Sequence, residues 1–260
     1  MAVHDGRLSC AARHSFDRAR QGWWHLAQPQ DARSREPGDA AESIAARARL
    51  FERGLGPGVV RAVLQLAGDW SGAALDLGCG GGALLAGLHD QGARAPRHLH
   101  GVDLSDAAVR LAARRRVAAI FVANADRRLP FLESTLDLAT SIDARRPRDE
   151  LARVLKPGGA LIVAVPAPDD LLELRAAVLG RGDALPGGDG VVAELAPRFH
   201  MVERARVEEG LTLDAAGLAD LASSTYRLAR LRERQRLQAL PATQVWSRHD
   251  VLRFELAPTG

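Results

Sequence analysis

Three aspartates and a cluster of glycines stand where side chains and bare backbone could meet a ligand. Asp76 precedes the turn Gly78-Cys79-Gly80-Gly81-Gly82, Asp103 follows 25 residues after Gly78, and Asp126 closes Ala123-Asn124-Ala125-Asp126. Each aspartate ends a short β-rich run. Glycine between a strand and a helix lets backbone approach a ligand closely, because no Cβ stands in the way. Such turns also bind NAD or FAD, or serve only the fold. Asp76 separates these readings: a carboxylate two residues before the first glycine would repel a pyrophosphate and attract a cation.

The cation that suits this pattern carries an ammonium and a sulfonium, as S-adenosylmethionine does. Gly78, Gly80, Gly81 and Gly82 then cradle it. Asp103 is placed to accept hydrogen bonds from both ribose hydroxyls, or else to cap the helix after it. Asp126 is placed for the exocyclic amine of adenine, or else is a solvated loop residue. Leu104 and Ala125 adjoin these carboxylates and are read as part of the same pocket. Cys79 has no resolving cysteine or metal set beside it and reads as a small packing residue.

The elements that must position these residues alternate. Runs at 73–77, 99–103, 118–122, 136–141 and 160–165 predict strands, and those at 199–207 and 250–256 alternate as half-buried antiparallel strands do. Helices fit at 82–89, 105–115 with Ser105 as N-cap, 148–155, 169–179 and 213–221. Lys156-Pro157-Gly158-Gly159 supplies a helix stop, and 180–190, rich in glycine, reads as a surface loop. The pattern predicts an α/β, Rossmann-like, doubly wound sheet of seven strands in the order 3-2-1-4-5-7-6 over residues 66–260. Residues 1–65 are read as an N-terminal arm with a helix, in which the polar stretch 30–39 is a connector.

A chain of 260 residues with 47% hydrophobic content can bury a sizeable core. No apolar run approaches the roughly 20 residues of a membrane helix. The first ten residues lack the apolar stretch of a secretory signal, so a cytoplasmic protein with reduced cysteines is expected. Lys156 is the only lysine, so the net charge of +3 rests almost wholly on guanidinium groups. Arginine richness fits phosphate contacts or merely genomic base composition.

Several segments carry a resemblance. The order L-D-L-G-C-G-G-G, G-V-D-L-S, L-P-F (129–131) and E-L-A-R-V-L-K-P-G-G (150–159) resembles the class I methyltransferases. The N-terminal run narrows it: His14, Phe16, Asp17, Ala19, Arg20 and Gly22, then Arg33-Ser34-Arg35, Pro37-Gly38-Asp39, Glu42 and Ala46-Arg47, are similar to the 23S ribosomal RNA (guanine-N1)-methyltransferases. That resemblance implies the class I fold, S-adenosylmethionine as cofactor, ribosomal RNA as partner and a link to macrolide resistance. It also implies an N-terminal zinc finger, of which only Cys10 and His14 remain here; zinc needs four ligands in a structural site, so no zinc is expected. The family's tyrosine near the methyl donor falls at about Gly56, its histidine before L-x-E-L at Asp170, and its aromatic-Ala-Pro segment becomes Asp143-Ala144-Arg145.

Methyl transfer from a sulfonium is an in-line displacement that depends on alignment and exclusion of water. Guanine N1 must also lose a proton, and Asp143 at the end of the fourth strand is the candidate acceptor; the competing reading pairs it with Arg145 or Arg146 on the surface. For RNA, the candidates are Arg227, Arg230 and Arg234 within a basic run, with Arg18, Arg20, Arg33 and Arg35, and the pair Trp23 and Trp24 as stacking platforms. A solvated helix face would explain the basic run equally, and paired tryptophans also dock an arm onto its own domain. A homodimer, a small-molecule acceptor and a non-catalytic binding protein all remain open.

Overall fold

The computed structural model describes residues 2–4, 7–9, 14–26, 38–91, 97–122, 128–225, 235–237 and 239–257. Cys10, Arg33, Arg35, Ala125, Asp126, Arg227, Arg230 and Arg234 lie outside the described residues.

The central sheet begins with the run around Asp76. Strands β5 (Gly72–Leu77), β6 (Arg97–Asp103), β7 (Ala119–Val122), β8 (Leu136–Ile142) and β9 (Leu155–Pro166) run parallel. β10 (Phe199–Leu213) and β11 (Thr243–Leu256) form a long antiparallel hairpin whose second strand pairs antiparallel with β9. The spatial order β7-β6-β5-β8-β9-β11-β10, counted from β5, is the expected 3-2-1-4-5-7-6.

Alternation along the strands sets the two faces. Leu75, Leu77, Ala139, Leu161 and Val163 pack on one side with Leu151 and Val154 of α5 (Arg148–Val154) and Val191 and Leu195 of α7 (Gly187–Leu195). Ala74, Leu138, Ile162 and Ala164 face the other side, under α2 (Pro57–Ala67), α3 (Ala83–Asp90) and α4 (Asp106–Ala113). A third cluster joins Leu50 of α1 (Ala41–Glu52), Leu174 and Val178 of α6 (Leu172–Leu179), and Leu218 and Leu221 of α8 (Ala215–Ser224).

Lys156, the sole lysine, ties this sheet together rather than facing a ligand. Its Nζ donates to both oxygens of Asp137 at 2.8 Å, and Asp137 Oδ2 also accepts from Ala73 N at 2.8 Å. A Cβ on Gly72, at φ +90°, would overlap that carboxylate. The register of β5 against β8 is thereby pinned at the end remote from Asp76.

The structure departs from the sequence expectations at several places. An eighth strand, β4 (Trp23–His25), extends the sheet beyond β7 in parallel register, so part of the N-terminal arm belongs to the main sheet. Three short strands before it, β1 (Ala2–His4), β2 (Arg7–Ser9) and β3 (Ser15–Asp17), make a separate antiparallel sheet. Three-residue strands carry too little periodicity to be read in advance.

The helix at 148–155 stops at Val154, and Lys156-Pro157-Gly158-Gly159 belongs to the following strand β9 rather than to a helix cap. The helix expected from 169 starts only at Leu172, because Asp170 turns its side chain to accept from Arg248 N at 2.9 Å. The glycine-rich loop at 180–190 becomes α7 from Gly187, since Gly188 N donates to buried Asp250 Oδ2 at 2.8 Å, a tertiary contact that outweighs poor helix propensity.

Trp23 and Trp24 are both buried: Trp24 stacks on Phe121 with ring centroids 5.4 Å apart, and Trp23 joins the opposite cluster. Replacing Trp24 with Ala removes a large side chain that locks β4 to the sheet. The expected cost is about 3–5 kcal/mol, read as a fall of roughly 6 °C or more in thermal midpoint by calorimetry. A midpoint unchanged within 2 °C in that measurement would mean that β4 is not part of the cooperative fold.

Candidate functional site

Asp76 and Asp103 end adjacent strands, and the turn between β5 and α3 is stitched to the second of them. Gly78 N and Cys79 N donate to Val102 O at 2.8 and 3.1 Å, Gly80 N donates to Asp103 Oδ2 at 3.0 Å, and Ser105 N donates to Asp103 Oδ1 at 2.8 Å. Asp103 thus holds the glycine turn while each oxygen keeps a further lone pair. It does not cap α4; Ser105 does, accepting from Ala108 N at 3.3 Å.

Two glycines show why the turn needs no side chains. Gly78 has φ +75°, and a Cβ there would overlap the methyl of Ala144. Gly80 has φ +50° and nothing within 4 Å of the position its Cβ would take. Backbone is therefore bare over open space beside two carboxylates, which suits a close-fitting ligand. Gly81 and Gly82, by contrast, press against Leu111 and Ala112 of α4.

Asp76 is 3% exposed, and Thr140 Oγ1 donates to its Oδ1 at 2.9 Å. Burial pushes its carboxyl up to about 7; the Thr140 hydrogen bond opposes the shift, and repulsion from Asp103 adds to it. Asp103 is raised as well, by burial, against the pull of the Ser105 and Gly80 N–H groups. Burial also raises Cys79 far beyond the ordinary thiol range, with both carboxylates adding to the effect, so this cysteine is an inert packing group.

The N-terminal segment closes over the end of β6. Ser105 Oγ donates to Asp39 O at 2.6 Å, Arg47 pairs with Asp39 at 2.5 Å, and a Cβ on Gly38 would lie 2.7 Å from Ser105 N. Half-buried Leu104 lies beneath this contact. Gly56 caps α2 in a left-handed conformation at φ +114°, where Glu209 accepts from Gly56 N at 2.8 Å and from Gly58 N at 2.5 Å. A tyrosine at Gly56 would be strained by this positive φ and would press on Phe51, 3.2 Å from the Cβ position.

Asp143, at φ +53°, follows β8, and its neighbour Ala144 fills the space over Gly78. Among the described residues it pairs with no arginine, Arg146 bonding Glu194 and Ala144 O instead; its Oδ2 meets His249 Nε2 at 3.2 Å. His249 escaped sequence reasoning because it lies 106 residues away on β11 with no motif around it. Asp170 is buried as the acceptor of Arg248 N, a structural role.

The RNA candidates fare unevenly. Trp23 and Trp24 are core residues and present no ring to a base. Arg18 lies 4.8 Å over the Trp24 ring and donates to Gly22 O at 3.2 Å, so it is engaged in the fold. Arg20 is exposed on a turn, and His14 is exposed just before β3. Among the described residues no group of His, Cys, Asp and Glu side chains is placed to hold a metal, and no helix is long and apolar enough to cross a membrane.

A methyltransferase-domain family model matches residues 74–159, the stretch that contains the glycine turn and both carboxylates. The 23S rRNA (guanine(748)-N(1))-methyltransferase of Streptomyces fradiae is 34% identical over 217 residues, covering 81% of this chain and 75% of that protein. The chain belongs to the 23S ribosomal RNA (guanine-N1)-methyltransferase family. A Micromonospora griseorubida protein provisionally named to the same activity is 35% identical over 185 residues, covering 64% of this chain and 61% of its own length.

Solved structures show the same fold at low identity. Geranyl diphosphate C-methyltransferase from Streptomyces coelicolor A3(2), solved with S-adenosyl-L-homocysteine, matches with TM-score 0.51 at 14% identity, over 89% of this chain and 90% of that one. The [4+2]-cyclase SpnF matches with TM-score 0.50 at 20% identity, over 78% and 81%. The chain is an S-adenosylmethionine-dependent methyltransferase by family, and the cleft over Gly80 fits that donor: open backbone, a buried carboxylate for a cation and a second carboxylate with lone pairs to spare.

Donor binding should report the state of Asp76. The cationic donor favours the ionised carboxylate, so affinity is full above pH 7 and declines as pH falls through about 7, by up to tenfold per unit. Calorimetric titration between pH 5.5 and 8.5 tests this. Asp76→Asn should bind more weakly and lose the pH dependence; a wild type with flat affinity across that range contradicts the assignment.

Proposed function

We propose that this protein transfers the methyl group of S-adenosylmethionine to N1 of a guanine in a hairpin loop of 23S ribosomal RNA, in the service of macrolide resistance. The observation that carries the acceptor is the 34% identity over 217 residues to an enzyme named for guanine-N1 methylation. S-Adenosylmethionine supplies an electrophilic methyl group on a sulfonium. Asp76 holds the donor's ammonium end, Asp103 its ribose hydroxyls, and Asp126 with Ala125 and Leu104 its adenine. The bare Gly78-to-Gly82 backbone lets these contacts form at close range and leaves little room for water.

In this reading the acceptor base enters beside Ala144, and Asp143 accepts the proton from N1 as the new N–C bond forms. Phosphate contacts fall to Arg20, Arg33, Arg35, Arg227, Arg230 and Arg234, through forked guanidinium hydrogen bonds. The engagement of Trp23, Trp24 and Arg18 in the fold favours one competing reading, a small-molecule acceptor, since it removes part of the stacking surface a loop base would use.

Primer extension on large-subunit RNA separates the two, because N1 methylation blocks base pairing and stops the polymerase. Expression in a strain lacking its own guanine-N1 enzyme should produce one new stop, abolished by Asp76→Asn, and should raise macrolide tolerance. Donor binding with no stop supports the small-molecule acceptor, and no donor binding at all supports a non-catalytic protein.

A further inference from the structure

The best-organised polar pair outside the donor cleft joins Asp143 to His249. His249 lies on β11 opposite Pro166 of β9 and Val207 of β10, and the backbone on both sides of it is held. Leu171 N donates to Trp246 O at 3.0 Å, Arg248 N to Asp170 Oδ1 at 2.9 Å, and Ala167 N to Arg248 O at 2.8 Å. The Arg248 guanidinium reaches Glu208 at 2.8 Å and Glu173 at 2.9 Å, while Asp250 Oδ2 accepts from Gly188 N and from Arg204 at 2.8 and 2.9 Å. Such bracing leaves the imidazole little freedom to turn away.

The pair is asymmetric in exposure. The His249 side chain is 12% exposed and that of Asp143 is 49% exposed. Asp143 N donates to Ala164 O at 3.0 Å, which anchors its left-handed backbone, and its Oδ1 has no partner among the described residues. Ala144, the next residue, touches the glycine turn. One carboxylate oxygen thus meets a buried ring, the other has no partner among the described residues, and the residue that follows borders the glycine turn.

We infer that Asp143 and His249 act together on the acceptor nitrogen, with Asp143 accepting the N–H proton and His249 positioning Asp143 through Nε2–H. The inference rests on the guanine-N1 reading above. As the nitrogen–carbon bond forms, the sulfur–carbon bond breaks and its electron pair stays on sulfur. The nitrogen–hydrogen bond breaks and its proton passes to Asp143 Oδ1, leaving a carboxylic acid whose Oδ2 still accepts from His249 Nε2–H; an imidazolium at His249 would make Asp143 too weak a base, and the neutral ring leaves it able to take the proton. The competent starting form is ionised Asp143 with neutral His249. Burial lowers His249, but the Asp143, Asp170 and Glu209 carboxylates facing it from the β8 loop, the β9–α6 loop and β10 outweigh burial and raise it. Ser247 Oγ, 3.4 Å from Nδ1, is the contact from its own strand.

Single-turnover methyl transfer to a large-subunit RNA hairpin, at saturating donor so that Asp76 does not enter, tests the pair. The wild-type rate should rise with pH through one ionisation above 6.5 and then level, since neutral His249 is required. His249→Gln keeps a hydrogen bond to Asp143 but cannot titrate. It should lose that inflection, with donor affinity unchanged, whereas Asp143→Asn, which cannot accept the proton, should fall about a hundredfold in rate. A His249→Gln enzyme within threefold of wild type and with the same pH profile overturns the inference.

Histidine proton NMR gives a second reading independent of the acceptor. The His249 resonance should titrate at lower pH in Asp143→Asn than in wild type, and an unchanged titration also overturns the pair. If wild type transfers no methyl to the RNA while the NMR coupling is present, the guanine-N1 reading fails and the pair's role in it fails with it. If transfer occurs and His249→Gln is unaffected, only the pair fails.

Discussion

Asp76 is a buried carboxylate with a threonine hydroxyl, and no cation among the described residues, as its side-chain partner. Removing a carboxylate from water costs several kcal/mol unless a partner or a proton compensates, and here the free protein compensates in part by holding the proton up to about pH 7. Much of the surrounding architecture follows from keeping that group in place: β8 brings Thr140 to it, β6 brings Asp103 beside it, and the glycine turn leaves the space above it open. In the donor reading proposed above, the ligand's cationic end supplies the charge that the described residues do not.

The other edge of the cleft is built from elements remote in sequence. The β10–β11 hairpin reaches past the end of β9, and Arg248, Asp170 and Asp250 bind it to the loop 167–171 and to α7. These polar side chains are buried yet partnered, which directs them to a specifying role rather than to ligand binding. Their consequence is a histidine aimed at the loop after β8. The parallel strands carry Asp76 and Asp103, and the antiparallel hairpin carries His249.

The fold alone does not determine the reaction. SpnF shares it and is a cyclase, and the geranyl diphosphate enzyme shares it and methylates carbon. In the function proposed above, discrimination falls to the loop after β8, to the covering segment around Asp39 and to the arginine-rich stretches of the sequence. In this chain the first two are held by Ala144 against Gly78 and by Ser105 against Asp39.

The amino-acid sequence by itself determined the parallel half of the sheet: strand order, the placement of Asp76 and Asp103 on adjacent strands, the glycine turn and the Ser105 cap were legible because each depends on local periodicity or on contacts between successive strand ends. It could not disclose which readings of ambiguous residues would win. Trp23 and Trp24 carry the same chemistry as stacking platforms or as core, and only the free edge of β7 decided that they pack. Asp143 could be read as paired with Arg145 or Arg146 or as a proton acceptor, and the partner that the packed chain brings to it is His249, 106 residues away. Gly187 to Leu195, poor in helix formers, became a helix because Asp250 and Pro168 supply tertiary contacts there. Local pattern encodes secondary structure, whereas pairing between distant side chains is a property of the packed chain alone.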